Sequence, residues 1–443
     1  MATGIGDTIV ALSSGAVPSG VAIVRLSGPG AGQVMTSMLD RPAEPRRLIL
    51  SPIRIGGVIL DTGLLAWMPG PHSFTGEDCL ELHLHGSPAV VRGVLRALTA
   101  VSGFRLAGAG EFTRRAFENG KLDLVEAQGL GDLIEAETEN QRALAYARME
   151  GGLTRRLDGW RERLLGLRAL VEAQLDFSDE GDVGELPTAF LEGVKALARD
   201  IGSVIAQRGQ GRIIRSGFRV VLAGPPNAGK SSLLNALSQS DVAIVSDEPG
   251  TTRDLKEVPL DVRGQLIMLI DSAGLRETDS RAEAIGIDRA RQAILSADQV
   301  LWLSAPDIQD ELPPTFPEFD DEPWRVPAIA RIGTKSDIGP VAGVDLSVSA
   351  TTGAGIADLL DKLYDATGAA RVQPGSILVS HEHDRAALLE AYMELDDVAS
   401  VVAQPELAAE KLRRASAALE RLLGRMDAEL VLDHLFSRFC IGK

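Results

Sequence analysis

Cysteine and long apolar runs are both scarce in this chain of 443 residues. Only Cys79 and Cys440 carry thiols, and they lie far apart in the sequence. Two isolated cysteines argue against a disulfide framework and for a reducing, cytoplasmic setting. The sequence does not open on a positively charged leader, and no apolar run reaches the ~18 residues needed to cross a bilayer. We therefore expect a cytoplasmic protein without a membrane segment.

Positive charge is also in short supply. The chain has 45 Lys and Arg against 62 Asp and Glu, which gives a formal net charge of −17. This balance argues against a protein that coats nucleic acid with its whole surface, so a nucleic-acid substrate would need a local basic patch or a basic partner. The hydrophobic fraction of 45% and the length are ordinary for a soluble protein of two or three domains.

Short apolar runs mark the first hundred residues. Residues 20–28 and 56–61 are predicted as strands, and residues 89–101 as an amphipathic helix. Residues 121–177 almost lack proline and are rich in Ala, Leu, Glu and Arg, which predicts two or three helices. The acidic, glycine-punctuated residues 176–187 should form a loop.

Alternation of strands and helices begins near residue 217 and continues to about residue 370. Residues 368–375 read as a linker, after which a helical pattern returns. Its apolar positions are spaced at three and four: Leu412, Ala415, Leu419 and Leu422. We predict one helical domain that is interrupted by an inserted α/β domain.

The segment GPPNAGKSS, residues 224–232, follows an apolar strand and precedes a helical pattern. Gly224, Gly229, Lys230 and Ser231 have the spacing of a P-loop. Backbone N–H groups would close around phosphates, Lys230 would reach the β- and γ-oxygens, and Ser231 would ligate Mg²⁺. The predicted phosphate-binding residues are Asn227, Ala228, Gly229, Lys230, Ser231 and Ser232.

Further segments follow in the order that a GTPase requires. Residues 247–254, DEPGTTRD, supply Thr252 to complete the Mg²⁺ shell. Residues 271–274, DSAG, end a strand and place Asp271 by the metal and the Gly274 N–H near the γ-phosphate. TKSD, 334–337, and VSA, 348–350, would hold the guanine, with Asp337 accepting from its N1 and exocyclic amine. The predicted base contacts are Thr334, Lys335, Asp337, Ser349 and Ala350. Together these segments predict a G domain.

Two positions depart from signalling GTPases. Leu275 stands where those proteins carry a water-positioning glutamine, so hydrolysis must recruit another group, and no arginine finger is evident. Asn227 offers a side-chain oxygen where a monovalent cation could replace the finger's positive charge. Thr334 replaces the usual asparagine of the guanine motif. Its reach is shorter, so we expect guanine selectivity to depend more heavily on Asp337.

The chain resembles the MnmE (TrmE) family of tRNA-modification GTPases over its whole length. The resemblance lies in segments that include PGPHSFTGED (69–78), GEFTRRAFENGKLDLVEAQ (110–128), DFSDEG (176–181), NAGKSSLLNAL (227–237), PGTTRD (249–254), GLRET with AIGIDRA (274–290) and FCIGK (439–443). The first, second and last of these are not general GTPase features, which makes the resemblance specific.

The resemblance implies a multidomain α/β plus α protein. Residues 1–118 would form a tetrahydrofolate-binding-like α/β domain that mediates a homodimer, and residues 214–372 an inserted Ras-like G domain. Residues 119–213 and 373–443 would form a discontinuous helical domain. The family acts with an FAD-binding partner, MnmG (GidA), in a heterotetramer. It adds aminomethyl or carboxymethylaminomethyl groups to carbon 5 of the tRNA wobble uridine, with carbon from 5-formyl- or 5,10-methylene-tetrahydrofolate. In that family, the G domains of the two subunits pair when GTP and K⁺ are bound.

The family's sites carry over by motif. The implied folate pocket uses Arg25, Glu81, Lys121 and Lys443. The implied K⁺ ligands are Asn227, Ser246, Glu248 and Thr251, and those of Mg²⁺ are Ser231 and Thr252. Glu283 matches the family's catalytic glutamate, which orients water indirectly and would compensate for Leu275.

Cys440 is the fourth residue from the end of the sequence and allows three interpretations. CIGK stands at the place of a prenylation box but fits it poorly. Phe436, Phe439 and Cys440 could pack together under the last helix. The resemblance instead places the tail in the folate pocket, where a thiolate could assist one-carbon transfer. We favour the tail as part of that site and leave the covalent role of the thiol open.

Several other residues have plainer interpretations. His381 and His383 should lie on different faces at a helix start and be solvated or capping rather than metal-binding. His83 and His85 should share one strand face near Glu81, with no third metal ligand evident. Arg413, Arg414, Arg421 and Arg425 form a basic helical stripe that could face tRNA phosphates or only solvent.

One other class of function remains open. A GTP-switched binding factor in ribosome assembly would share the nucleotide chemistry. Such factors usually carry lysine-rich RNA-binding appendages, whereas this acidic chain carries PGPHSFTGED, GKLDL and the CIGK tail. The sequence does not decide whether tRNA contacts this chain directly.

Overall fold

The computed structural model describes residues 6–39, 43–176, 186–244, 257–271, 293–294, 296–308, 327–369, 377–424, 439 and 442. Its contacts divide the chain into two compact units. The first comprises residues 1–131 with 417–443, and the second comprises residues 132–416. Within the described residues, no helix is both long enough and apolar enough to cross a membrane.

A six-stranded sheet forms the centre of the first unit. Its strands are β1 (Thr8–Leu12), β2 (Ser19–Ser27), β3 (Leu48–Ile55), β4 (Val58–Met68), β5 (Cys79–Gly86) and β6 (Phe104–Leu106). They lie in the order β3-β4-β5-β2-β1-β6, and every pairing is antiparallel except that of β1 with β6. The strand predicted at 20–28 is confirmed by β2. The strand predicted at 56–61 begins only at Val58, because Gly56 and Gly57 have positive φ and turn the chain between β3 and β4.

The two faces of this sheet differ in chemistry because successive side chains in a strand point to opposite sides. On one face Val24, Leu26, Leu80 and Leu82 are fully buried. They form a core with α1 (Ala31–Met38) and α2 (Pro88–Thr99), and the latter confirms the helix predicted at 89–101. The opposite face presents a polar row, which includes Arg25 and Glu81.

Helix α3 (Glu111–Glu118) lies on that second face, where Phe112 packs against Ile9 and Ala11 of β1. Its Arg115 pairs with Asp7 at 2.6 Å and with Glu77 at 3.1 Å. Helix α4 (Leu124–Glu135) follows, and Phe439 from the far end of the chain packs against Leu124 and Ala127. The C-terminal tail therefore belongs to the first unit.

The second unit has a helical part. Its helices are α5 (Glu139–Met149), α6 (Gly152–Asp176), α7 (Thr188–Ala206), α8 (Arg208–Ser216), α11 (Glu382–Val401) and the first part of α12 (Pro405–Leu422), whose residues from 417 onward belong to the first unit. Helices α4, α5 and α6 confirm the three-helix prediction for residues 121–177. The predicted periodic positions of α12, Leu412 among them, are buried. Residues 177–185 of the predicted acidic loop lie outside the described residues, as does most of the predicted linker at 368–375.

A second six-stranded sheet completes this unit. Its strands are β7 (Phe218–Ala223), β8 (Glu257–Val262), β9 (Gln265–Asp271), β10 (Gln299–Ser304), β11 (Ala328–Gly333) and β12 (Leu346–Ser347). The order is β12-β11-β10-β7-β9-β8, with only β8 antiparallel. Helices α9 (Lys230–Ser238) and α10 (Ile356–Thr367) pack on it, with Leu233, Leu237, Leu359 and Leu363 in the core. This is the predicted α/β insertion.

The chain leaves the helical part through α8 and returns at residue 377 beside the same helix. A Cβ added at Gly211 of α8 would lie 2.0 Å from the carbonyl oxygen of Val379. Only a glycine allows this approach, so the two connections of the sheet to the helices run against each other.

Candidate functional site

The P-loop lies between β7 and α9, at the carboxyl edge of the second sheet. Gly224 has φ of 137°, and a Cβ there would lie 2.4 Å from the Leu303 carbonyl oxygen. Asn227 and Gly229 also have positive φ, at 63° and 87°, and Gly229 immediately precedes α9. These dihedrals wrap the loop over a helix N-terminus, whose free N–H groups and dipole favour anions.

Lys230 lies across this loop. Its Nζ donates to the carbonyl oxygens of Gly224 and Pro225, both at 2.8 Å, and the residue is only 9% exposed. The ammonium is thus held over the loop backbone at the start of a helix. A phosphate bound by the loop would meet it directly.

Two oxygen groups meet beside Lys230. Ser231 Oγ donates to Asp271 Oδ2 at 2.9 Å. Asp271 ends β9, and its register partner is Leu222 near the end of β7, which brings the carboxylate to the P-loop. A hydroxyl and a carboxylate are the donors that a hard cation such as Mg²⁺ prefers, so these residues fit the predicted metal.

The guanine motif is tied to the phosphate loop by Thr334, which follows β11. Its buried hydroxyl donates to the Ala228 carbonyl oxygen at 2.7 Å and lies 3.2 Å from that of Ser304. The shorter side chain therefore still reaches the P-loop. Gly229 lies close enough that an added Cβ would be 3.4 Å from Thr334 Oγ1.

The remaining residues that were predicted to contact the base lie at the same edge of the sheet. Ser349 Oγ donates to Asp337 Oδ1 at 2.5 Å, which holds the exposed carboxylate in place. Lys335 Nζ pairs with Asp307 at 2.6 Å, and the hydrogen bond from Lys335 lowers the pKa of Asp307. Asp307 was not predicted, since it lies in the loop after β10, away from every nucleotide motif. Ala350 follows Ser349 and is partly buried.

Several predicted residues lie outside the described part of the chain. These are Ser246, Glu248, Thr251, Thr252, Gly274, Leu275 and Glu283 of the nucleotide site, and Cys440 and Lys443 of the tail. Asn227 is described, and its side chain is exposed on the P-loop.

A second charged cluster lies on the polar face of the first sheet. Arg25 of β2 and Glu81 of β5 are register partners, and Arg25 Nε and Nη2 donate to Glu81 Oε1 at 3.0 and 2.8 Å. The guanidinium carbon lies 5.8 Å from the ring centres of both Phe74 and Phe112. The sequence did not reveal these two aromatic neighbours, because they come from distant segments.

Lys121 and the tail approach the same region of the first unit. An added Cβ at Gly76 would be 3.4 Å from Lys121 Cγ, so Lys121 lies along the segment that carries Phe74. From the tail, the Gly442 carbonyl oxygen accepts a hydrogen bond from Ser13 Oγ at 2.7 Å. Ser13 follows β1, the strand that pairs with β2. The tail thus reaches the end of a strand next to that of Arg25.

The prediction of solvated or capping histidines is confirmed for His383, whose side chain is 45% exposed, but was wrong for the side chain of His381. Their ring centroids are 5.2 Å apart, and His381 Nε2 lies 2.8 Å from Asp132 Oδ2. His381 stands at the N-cap position of α11, but its side chain caps no backbone N–H group. The side chain is only 13% exposed and pairs with Asp132, which is far away in the sequence. Burial lowers the pKa of His381, against the opposing effect of Asp132. Across the described ranges, no cluster of three His, Cys, Asp or Glu side chains could hold a metal.

The basic stripe on α12 is partly neutralised. Arg413 and Arg414 both pair with Glu410 at 2.9 Å. These contacts favour the interpretation of a solvated face for these two arginines, since their charge is already matched within the helix.

Family models match most of the chain. Residues 8–121 match the model described as the GTP-binding protein TrmE N-terminus, and residues 124–440 match the MnmE helical domain. The chain belongs to the MnmE family. Among curated MnmE relatives, the tRNA modification GTPase MnmE of Azorhizobium caulinodans is 48% identical over 445 residues, covering 99% of each chain. That of Rhizobium meliloti is 46% identical over 443 residues with the same coverage.

Solved structures resemble parts of this MnmE-family chain. The G domain of the T. maritima FeoB iron transporter is 26% identical, covering 33% of this chain and 97% of that one, with a TM-score of 0.23. Aquifex aeolicus Era is 21% identical, covering 40% and 66%, with a TM-score of 0.26.

Proposed function

We propose that this MnmE-family GTPase is stimulated by K⁺ and acts with the FAD-dependent partner MnmG (GidA). Together they add an aminomethyl or carboxymethylaminomethyl group to carbon 5 of the tRNA wobble uridine, using a tetrahydrofolate carbon. The observation that carries the proposal is that one chain combines a P-loop braced by Thr334 with a second charged cluster, Arg25–Glu81, on a sheet to which the C-terminal tail is hydrogen-bonded through Ser13.

In the nucleotide half, the P-loop residues 227–232 hold the phosphates. Thr334, Lys335, Asp337, Ser349 and Ala350 hold the guanine. Ser231 and Thr252 would ligate Mg²⁺, with Asp271 beside them, and Gly274 would donate its N–H to the γ-phosphate. Bound Mg²⁺ neutralises phosphate charge. This assignment is supported by the hydrogen bonds from Lys230 to the Gly224 carbonyl oxygen and from Ser231 to Asp271, which hold both side chains at the P-loop.

Potassium would bind through Asn227 with Ser246, Glu248 and Thr251. A monovalent cation there supplies the positive charge that an arginine finger supplies elsewhere. Glu283 would orient the attacking water in place of the glutamine that Leu275 replaces. We expect fast hydrolysis in KCl and slow hydrolysis in NaCl at equal ionic strength. Equal rates in the two salts would refute the role of Asn227, and Asn227→Ala should remove the difference between them.

In the first unit, Arg25, Glu81, Lys121 and Lys443 would bind 5-formyl- or 5,10-methylene-tetrahydrofolate. A guanidinium that is paired with a carboxylate and lies near two phenyl rings suits a flat heterocycle with polar edges. Cys440 would lie in the same tail, where a thiolate could assist one-carbon transfer. Bound folate would supply the carbon, and these side chains would hold the folate in place.

We assign residues 1–118 to the folate-binding and dimerisation domain, 214–372 to the G domain, and 119–213 with 373–443 to the helical domain. A homodimer through the first sheet is supported by exposed apolar side chains at its β3–β4 edge. These are Leu48, Leu50, Val58 and Ile59, between 54% and 71% exposed. The protein would work in the cytoplasm as a heterotetramer with MnmG on tRNA.

The decisive experiment is nucleoside mass spectrometry of tRNA from cells that lack this chain. We expect aminomethyl-type wobble uridines to disappear and to return with the wild-type gene. A Cys440→Ser gene then tests whether the thiol takes part. If the modified uridines persist in the deletion without a second gene copy, the modification role is wrong and a ribosome-assembly switch becomes the better account.

A further inference from the structure

The carboxylate of Glu81 is approached from two sides by groups on the same sheet face. Arg25 on β2 contacts only Oε1. His83, two residues along β5, has its Nε2 3.4 Å from Oε2. On the β4 side, the register partner of Glu81 is Ala66, whose methyl group offers no polar contact. Among the described residues, His83 is therefore the polar side chain that reaches Oε2.

The Glu81 carboxylate and the two side chains that contact it are only partly buried. The side chains of Arg25, Glu81 and His83 are 24%, 17% and 23% exposed. Each carboxylate oxygen can accept two hydrogen bonds. Arg25 Nε and Nη2 both donate to Oε1 and fill its two positions, whereas His83 makes one contact with Oε2, so Glu81 keeps one acceptor position, on Oε2. An ionised acceptor with one open position suits a ligand that presents an N–H donor, such as the edge of a pterin ring.

We propose that His83 is a positioning residue of the folate site, which fixes the plane of the Glu81 carboxylate so that Oε2 faces a pterin N–H group. The inference rests on the proposed folate function. Arg25 alone could let the carboxylate rotate about the axis through Oε1, because both of its hydrogen bonds end on that oxygen. The second contact, on Oε2, removes this freedom and lowers the entropic cost of binding.

His85 provides a matched control on the same strand face. It lies two residues beyond His83 and also pairs with a carboxylate, Asp61, at 2.8 Å. Its side chain is 74% exposed, and its partner belongs to β4 rather than to the Arg25–Glu81 pair. Removing the His85 imidazole changes the same chemistry at a place that does not contact Glu81.

The test measures binding of 5-formyltetrahydrofolate to the full-length chain by calorimetry. We expect His83→Ala to weaken binding about tenfold, the scale of one hydrogen bond to a charged group. His83→Gln should remain within about twofold of wild type, because its amide can donate to Oε2. His85→Ala should bind as wild type does. Thermal unfolding of each variant establishes that it is folded.

A double substitution separates positioning from a general structural effect. In a Glu81→Gln background, His83→Ala should cause no further loss, because His83 acts through Glu81. An unchanged affinity in His83→Ala would overturn the inference, as would an equal loss in both backgrounds. A lower melting temperature with unaltered affinity would leave His83 with a structural role only and also overturn it. Failure of the wild-type chain to bind would instead refute the folate function itself.

Discussion

Replacing Asp384 by asparagine removes one charge from an ion pair that is sealed from solvent. Asp384 at the start of α11 and Arg148 near the end of α5 are both 0% exposed, and Arg148 Nη1 lies 2.7 Å from Asp384 Oδ2. The same Nη1 donates to the Leu378 carbonyl oxygen at 2.5 Å. His383 Nε2 lies 3.2 Å from the other carboxylate oxygen. The pair thus ties two helices and the segment before α11 together.

The size of the effect follows from this burial. Removing one partner of a buried pair leaves an uncompensated charge and costs about 3–5 kcal/mol. A domain has a total stability of only about 5–15 kcal/mol, so the loss should be large. Although burial opposes ionisation, the charge of Arg148 and the close approach of His383 outweigh it and hold the pKa of Asp384 well below its usual value. Its contribution is therefore complete at neutral pH and is lost only in strong acid, as the pH falls through the folded-state pKa.

The assay is urea unfolding of the full chain at pH 7, followed by far-UV circular dichroism. Arg142→Ala is the control, because it removes an exposed arginine from an ion pair with Glu139 on the same helix α5 and should leave the unfolding midpoint unchanged. The double variant Arg148→Met, Asp384→Leu should lose less stability than Asp384→Asn alone. A loss below about 1 kcal/mol for Asp384→Asn would refute the reasoning, since it would mean that the buried arginine needs no counter-ion.

Three further predictions concern single groups. Thr334→Val should weaken GTP binding about fivefold, because it removes the hydrogen bond to the Ala228 carbonyl oxygen; unchanged affinity in a fluorescent-nucleotide titration would contradict this brace. Burial lowers the pKa of His381, so the unfolded chain binds its proton more readily, and the free energy of unfolding should fall as pH drops through the ordinary value of 6.5. His381→Gln should flatten that slope in urea unfolding, and an identical slope would count against it. Gly442→Ala should weaken 5-formyltetrahydrofolate binding, because a Cβ would lie 2.1 Å from the Leu12 carbonyl oxygen at a φ of 101°; wild-type affinity would separate the tail from the site.

Local signals allowed the G domain to be predicted well. An apolar run, a glycine-rich loop and a helical pattern each depend on neighbours in the sequence, and β7, the P-loop and α9 lie where these signals put them. The bond from Thr334 to Ala228 joins residues 106 positions apart, so the sequence alone did not reveal it. It depends on the order of β7, β10 and β11 in the sheet. The backbone brings the two groups close enough for the shorter threonine side chain to make this hydrogen bond.

The first sheet was harder to predict. Strand β3 has apolar residues on its exposed side, at Leu48 and Leu50, and a buried serine, Ser51, on the other. This mixture hides the alternation that identifies a strand, and Pro52 argues against a strand unless it lies at an edge, as β3 does. The position of His381 was missed for a related reason, because its partner Asp132 is 249 residues away.

The contact between Gly211 and Val379 has a consequence for how the G domain relates to the rest of the chain. Because the chain departs and returns at adjacent points, the helical part could be closed by a short connection without moving either of its ends. A sequence of roughly 160 residues thus occupies the position of a surface loop, and loop length adds little to the free energy of closing it. Such a segment can be gained, exchanged or removed as a unit. Replacing this segment by another P-loop domain with closely spaced ends would leave the hydrophobic core between the helices intact.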